Sequence, residues 1–295
     1  MEDKDFEKAI VNNFVTFDIE EWYAANYDSV DLSAYSNQDT NLEDNTRKLL
    51  DLCDEKGIKS TCFVVGDIAE NKPHIVKMIH ERGHEIASHS YAHGMVHEMK
   101  PEEFRNDLHK SCDLLEQIIG EKVRGFRAPS WSVKEDMLHW FYQVLEEQGL
   151  VYSSSVFPGY TYLYGVPGFP QRIHRPEFNG HQTRIWEIPQ TLFSFGGKQL
   201  GFSGGFYLRF FPGWFVRRQI ALSNRSGKQV FIYLHPREID PHSPKLKLPL
   251  LERMIHYYGV KGCEKKFNGI IGKYKHGFLR IDAYINHLNH QNHHA

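Results

Sequence analysis

Short apolar runs rich in β-branched and aromatic residues alternate, over the first half of the chain, with longer segments whose apolar residues recur every three or four positions. That is the pattern of strands separated by amphipathic helices. Asn13–Phe17 (NFVTF), Ser60–Val65 (STCFVV), Glu85–Ser88 and Val123–Pro129 (VRGFRAP) read as strands. Between them, Asn41–Lys56 carries Leu42, Leu49, Leu52 and Cys53 at helical spacing before Gly57, and Pro73–Arg82 is stopped by Gly83. Pro101–Ile119 sets Phe104, Leu108, Leu115 and Ile119 on one side and closes at Gly120, and Lys134–Gln148 closes at Gly149. Proline opens two of these helices and glycine follows all four, as helix ends require. The alternation predicts an α/β fold with a parallel sheet and helices outside it, either open and doubly wound or closed as a barrel.

The second half is less regular. Gly, Pro and aromatic residues crowd Tyr152 to Gly213, where long ordered loops are expected around a strand at Arg184–Ile188. Val230–Leu234 reads as a buried strand ending at His235, and Leu250–Tyr258 as a helix. The basic cluster Lys261, Lys265, Lys266, Lys273 and Lys275 reads as a solvated face. No repeat, low-complexity tract or Pro/Ser linker divides the chain, so a single domain over residues 1–241 is expected, with an extension over 242–295 packed on or trailing it.

Composition narrows the class. With 41% hydrophobic and 24% charged residues in 295, the chain is folded rather than disordered and can bury a sizeable core. Lysines and arginines number 35 against 37 acids, a formal charge of -2 that supplies no global reason to expect nucleic acid or an anionic membrane as partner. No apolar stretch approaches the roughly 20 residues of a membrane span, and the acidic start MEDKDFEKAI lacks the form of a secretory signal, so a cytoplasmic location is expected. Cys53, Cys62, Cys112 and Cys263 are scattered without a CxxC pair and read as buried thiols. His287, His290, His293 and His294 read as part of a solvated terminus.

Four short motifs carry candidate chemistry. In HSYAH, His89 and His93 are four apart, which on a helical turn puts both rings on one side and within reach of one metal ion. Asp18 and Glu20 follow the first strand two positions apart, so alternation sends them to the same face, where a cation or an arginine is needed between them unless water satisfies each. Arg127, at the end of its own strand in FRAPSW, has the fork to hold Asp18 ionised as a general base. His235, ending the strand of IYLHPRE, has the chemistry of a general acid. Their joint placement at strand C-termini matters, because parallel α/β folds build active sites at that edge.

Together, TFDIEEW at Thr16–Trp22, HSYAH at His89–His93, FRAPSWS at Phe126–Ser132 and YLHPREIDP at Tyr233–Pro241 resemble, in order and spacing, the polysaccharide deacetylase family with the NodB homology domain. The DIEEW and HPREID forms look closest to the branch found with bacterial exopolysaccharide biosynthesis. The resemblance implies a distorted (β/α) barrel with fewer than eight strands. It also implies a metal-dependent hydrolase that removes acetyl groups from an amino-sugar-containing polysaccharide or its precursor. By motif position Asp18 would be the general base, His89 and His93 metal ligands, Arg127 the residue that positions Asp18, and His235 the general acid. The ion would be zinc first, with nickel, cobalt or manganese also suited to such ligands. The family's third ligand usually follows the base directly. Here that position is Ile19, and Glu20 is the expected replacement, with Glu21 pointing away.

Two further departures bear on mechanism. Ser130 stands where a tyrosine often follows the proline of the arginine motif, leaving a backbone N–H as the expected oxyanion donor. No Asp-containing motif to orient the acid histidine is evident, and Glu187 in WEIP is the substitute considered. Trp131 and Tyr91, with Tyr160, Tyr162 and Tyr164, are candidate faces for sugar rings, although packing explains most of these aromatics. The paired glycines Gly196–Gly197 and Gly204–Gly205 form no nucleotide-binding motif. Two other readings stay open: a C–N hydrolase of a small non-sugar amide or cyclic imide, and a non-catalytic glycan-binding protein of the same fold.

Overall fold

The computed structural model describes residues 12–24, 41–160, 165–178 and 180–292. Its elements follow the expected alternation: β1 (Asn13–Ile19), α1 (Leu42–Asp54), β2 (Thr61–Val64), α2 (Gly66–Asn71), α3 (Pro73–Glu81), β3 (Glu85–Ser88), α4 (Pro101–Ile119), β4 (Gly125–Phe126), α5 (Leu138–Glu147), β5 (Tyr152–Ser153) and β6 (Trp186–Glu187). Then come α6 (Gly205–Phe210), α7 (Gly213–Arg225), β7 (Phe231–Leu234), α8 (Leu250–Tyr257), α9 (Val260–Lys273), β8 (Phe278–Leu279) and α10 (Ile281–Asn292). The sheet is parallel throughout, in the order β7-β1-β2-β3-β4-β5-β6. It is therefore seven strands wide, and no pairing joins β6 to β7 among the described residues.

The eighth strand adds no width. β8 pairs with Asn13 and Phe14, the second of which β7 pairs on its other side, so β8 takes the edge of β1 that β2 occupies from Thr16 onward. The result is a distorted, incompletely closed (β/α) barrel in a single domain, as the family resemblance implied. The extension is tied to it at several points. Besides β8, Phe267, Ile270 and Ile271 of α9 enter the core between sheet and helices, and Ile281 and Ile285 of α10 enter the core inside the barrel.

Every side chain of β1 to β5 and β7 is buried, so both faces of these strands are covered. Val15, Phe17 and Ile19 pack outward with Cys62, Val64, Ile86, Ile232 and Leu234 against the helices. Phe14, Phe63, Ala87, Tyr152, Phe231 and Tyr233 fill the interior. Gly125 is required there, because a Cβ at that position would sit 1.9 Å from the Tyr152 ring. The four cysteines are buried and unpaired, as expected.

The structure differs from the sequence expectations chiefly between Tyr152 and Arg225. The stretch expected as loops contains two short antiparallel strand pairs, 177–178 with 181–182 and 193–195 with 198–200, and the helix α6, with α7 directly after it. The aromatic density of GFYLRFFPGWF hid these helices, since bulky rings at nearly every position erase an amphipathic period. Of the expected aromatics, Tyr162 and Tyr164 lie outside the described residues, as do His293 and His294 of the tail. No described helix is long and apolar enough to cross a membrane.

Candidate active site

Alternation along the strands delivers one set of side chains to the barrel interior and then to its C-terminal rim. On β1 the interior set is Phe14, Thr16 and Asp18, and the same parity reaches Glu20. On β3 it runs from Glu85 through Ala87 to His89, on β4 from Gly125 to Arg127, and on β7 from Phe231 through Tyr233 to His235. Residues separated by more than 200 positions thus meet at one rim.

Glu20, His89 and His93 present ligand atoms that all lie within 4.8 Å of one another. The Glu20 carboxylate has Oε2 2.7 Å from His93 Nε2 and 3.9 Å from His89 Nε2. Donors held at about 2.0–2.2 Å from one ion fall at such separations. His89 Nδ1 lies 2.7 Å from the Arg127 carbonyl, which only accepts, so Nδ1 carries the proton and the Nε2 lone pair faces Glu20 and His93. Burial drives the His89 pKa down to about 4, leaving it the neutral imidazole that ligation needs. His93 Nε2 is buried and lies against Glu20 Oε2, the same oxygen that His89 Nε2 faces. Burial alone would raise the Glu20 carboxyl, but the charges of His235, His93 and Arg237 hold it well below the usual carboxylate range. A neutral imidazole, a second buried imidazole nitrogen and an ionised carboxylate, converging on one point, fit a divalent cation. Glu21 turns away to Lys72, at 2.5 Å.

The HSYAH segment is not the helical turn expected from its spacing. It is a loop after β3 in which Ser90 and His93 take φ values of 64° and 56°, and this wrap brings the two rings to 5.3 Å. Ser130 and Trp131, in the loop after Arg127, take φ values of 53° and 50°. Among the described residues these four are the non-glycine positions with positive φ, and all lie in the two loops that frame the rim. Backbone held in this sparsely allowed region concentrates at functional sites.

Arg127 is fully buried, its guanidinium 4.0 Å from the Phe63 ring and 4.8 Å from that of Phe231. Nη1 donates to Asp18 Oδ1 at 2.6 Å and to Thr16 Oγ1 at 2.9 Å, while Nη2 donates to Ser154 Oγ. Asp18 Oδ2 remains 3.8 Å from His235 Nε2, which is also 3.7 Å from Glu20 Oε1.

The residue that orients His235 is Glu238, three positions on in the same HPRE turn. Its Oε2 accepts from the His235 backbone N–H at 3.1 Å and lies 3.2 Å from Nδ1, which fixes that proton and aims Nε2 at Asp18 and Glu20. Oε1 accepts from Arg209 Nε at 2.8 Å, and both partners are 1% exposed. Arg209 also donates to the carbonyls of Ile255, His256 and Tyr258 at the end of α8. Burial opposes charge on His235, but Glu20 and Glu238 outweigh it and raise its pKa. The signal for Glu238 was present in sequence: a proline-opened turn whose third residue is Glu reaches back to the residue before the proline. Glu187 does not serve here. It accepts from the backbone N–H groups of Ser155 and Val156 and from Tyr142, and so holds the loop after β5.

The expected sugar-facing aromatics are placed otherwise. Trp131 is 5% exposed, stacked on Phe231 at 6.4 Å and edge-on to Tyr233 at 4.6 Å, because the interior needs its bulk. Tyr91 points outward, its hydroxyl donating to Glu70 and its ring covered by Lys110. Ser130 is half-buried on the turn at 129–131, and Tyr160 is exposed.

Residues 27–152 match the family model for polysaccharide deacetylase, and residues 154–286 match a domain of unknown function, DUF3473. The first match begins after Asp18 and Glu20, and the second runs across Pro241. A peptidoglycan-N-acetylglucosamine deacetylase of Bacillus cereus is 34% identical over 95 residues, 32% of this chain and 34% of that protein. The chain thus matches about a third of that relative's length. Among solved structures, an allantoinase superposes with a TM-score of 0.64 at 16% identity, covering 95% of this chain and 91% of the other. A Mycobacterium smegmatis protein described as a polysaccharide deacetylase superposes with a TM-score of 0.60 at 16% identity, covering 95% and 92%. At that identity the two structures establish the fold.

Proposed function

We propose, from the match of residues 27–152 to the polysaccharide deacetylase family model, that this protein is a metal-dependent hydrolase removing N-acetyl groups from an amino-sugar-containing glycan or its precursor. Glu20, His89 and His93 would hold a divalent cation, zinc being the first choice for two imidazoles and a carboxylate. When bound, such an ion lowers the pKa of water and polarises a carbonyl. The observation that carries the reading is the convergence of this donor set with Asp18 and His235 at one rim, with Asp18 Oδ2 and His235 Nε2 only 3.8 Å apart.

The chain's own groups divide the work. Arg127 and Thr16 donate to Asp18 Oδ1, orienting the carboxylate so that Oδ2 takes the proton from the attacking water. Water oxygen bonds to the acetyl carbon as its proton passes to Asp18. His235, kept protonated by Glu238 through Nδ1, donates from Nε2 to the departing amine as the C–N bond breaks, releasing acetate and a free amino sugar. Without that proton the nitrogen is the poorer leaving group and collapse restores the amide. The turn at Ser130, directly after the Arg127 strand, is assigned to contact with the acetyl group.

Acetate release from N-acetylglucosamine oligomers, measured on protein stripped of metal and then reloaded with zinc, nickel, cobalt or manganese in turn, tests the proposal. Activity is expected to vanish on stripping and return with at least one ion. Full activity in the stripped protein, or hydrolysis of small cyclic amides with no acetate released from any glycan, overturns it.

A further inference from the structure

The near-neutral total charge conceals a strong asymmetry. From Gly205 to Lys275 the chain carries 14 lysines and arginines against four acids, whereas the remainder carries 21 against 33. The same segment holds the largest exposed apolar side chains of α6, α7 and α8. Leu250 is 75% exposed, Leu251 62%, Trp214 61%, Phe210 48%, Tyr258 47% and Met254 46%.

These residues form one surface. Leu250, Leu251, Met254 and Tyr258 fall at i, i+1, i+4 and i+8, a single stripe of α8 and its C-terminal cap. Tyr258 meets the Phe210 ring at 5.8 Å, Phe210 meets Phe211, Phe211 stacks on Phe215, and Phe215 meets Trp214 at 5.9 Å. Exposed cations flank the α8 stripe in sequence, Lys245 and Lys247 before it, Arg253 within it and Lys261 and Lys265 after it, with Glu252 and Glu264 the acids of the stretch. The surface also has a defined position. α7 leads back to the start of β7, so its own start, with Trp214, lies toward the C-terminal rim where His235 sits, and α8 follows the HPRE turn at that rim.

Leucine and methionine at such exposure, with Trp, Tyr and Phe beside them and lysines around, match the demands of a bilayer interface. There apolar side chains enter the acyl boundary, amphipathic rings sit at headgroup depth, and cations meet anionic lipid. A nucleic acid would use the rings and cations but offers nothing to Leu250, Leu251 or Met254. We infer that the face formed by α6, the start of α7 and α8 docks on an anionic membrane surface, with the catalytic rim turned toward it. The docking rests on this surface alone, and only the naming of the rim as catalytic rests on the proposed function.

The test is sedimentation of the full chain with vesicles of phosphatidylcholine alone and of phosphatidylcholine mixed with phosphatidylglycerol. Binding to the mixed vesicles is expected, falling with added salt, together with a blue shift of tryptophan fluorescence that Trp214→Phe removes. Lys245→Glu and Lys247→Glu should each weaken binding about fivefold or more. The pair Leu250→Glu and Leu251→Glu should abolish it while leaving melting temperature and acetate release from soluble oligomers unchanged, which separates docking from activity and from folding. No binding to either vesicle overturns the inference. So does equal binding to both vesicle types without salt dependence, or a dimer in ultracentrifugation that the leucine variants dissolve while vesicle binding is absent.

Discussion

Glutamine at position 238 keeps the side chain's volume and removes its charge, at a point where every carboxylate oxygen already faces a donor. Oε2 faces two, the His235 backbone N–H at 3.1 Å and Nδ1 at 3.2 Å, and Oε1 faces Arg209 Nε at 2.8 Å. An amide has one accepting oxygen and one donating nitrogen, so in either orientation Glu238→Gln sets a donor against a donor. With the oxygen toward Arg209, the amide opposes the Nδ1 proton, and the doubly protonated imidazole loses its carboxylate. A hydrogen bond to a charged group contributes about 1.5–3 kcal/mol, which predicts a fall in kcat of roughly 10- to 150-fold. KM and bound metal should stay within about twofold, because Glu238 lies outside the set Glu20, His89 and His93. Arg209 retains three carbonyl acceptors, so the loss of stability should sit near or below the low end of the about 3–5 kcal/mol for breaking a buried pair. The assay is acetate release with metal analysis and urea unfolding on the same preparation, and Arg209→Lys, which preserves the charge, should lose less activity than Glu238→Gln. A folded, metal-loaded Glu238→Gln protein whose kcat lies within twofold of the parent refutes the reasoning.

Other perturbations separate the remaining roles. His93→Ala should lower bound metal at least tenfold, whereas Asp18→Asn should keep metal and lose kcat by about 100-fold or more; elemental analysis beside turnover distinguishes them. Trp131→Ala should destabilise the protein by about 3–5 kcal/mol in urea unfolding, since its indole is packed in the interior. Tyr91→Phe should leave KM within twofold, because the ring faces Lys110 on the outer surface. Glu85, at the opposite end of β3, has its pKa pushed up to about 7 by burial and then by the charge of Asp282. A carboxyl raised in the folded state favours folding fully below its unfolded value of about 4.5 and loses that contribution as pH rises through about 7. Unfolding free energy measured between pH 4.5 and 8 should therefore decline more steeply for the parent than for Glu85→Gln, and parallel curves would remove Glu85 as the cause.

The part of the fold legible in sequence is the part where burial is periodic. NFVTF and STCFVV are bounded apolar runs, and Pro101 to Ile119 carries its own start and stop, so the observed α4 has the expected ends. β4 and β6 shrink to two residues each, since Gly125 and Trp186 are set by contacts with distant side chains and not by local preference. The last turns of the chain were unreadable for a related reason. Phe278 and Leu279 form a strand only because β1 leaves an edge free before Thr16, an opening created by the register of β2.

At the site, parity was the legible quantity and loop shape was not. Asp18, Glu20, His89, Arg127 and His235 could be assigned to one rim because alternation continues past the last paired residue of each strand. The meeting of His89 and His93 needs something the spacing does not encode, since the four-residue interval is bridged by left-handed backbone at Ser90 and His93 rather than by a helix. Serine and histidine carry a cost in that conformation that glycine avoids, and a scan for turn residues passes over them. The cost must be met by neighbours. The loop is held by Asp107 of α4, whose carboxylate accepts from the backbone N–H groups of Tyr91 and Ala92 at 2.8 and 3.1 Å, and by the Arg127 carbonyl at His89 Nδ1. Asp107→Ala frees two backbone donors and lets the loop relax toward ordinary φ values, which separates the imidazoles. It should therefore weaken metal binding although residue 107 is no ligand, and Asp107→Asn, which retains one acceptor, should weaken it less. Equal metal affinity in the alanine variant and the parent would show that the ligands, and not the strained loop, set the site's geometry.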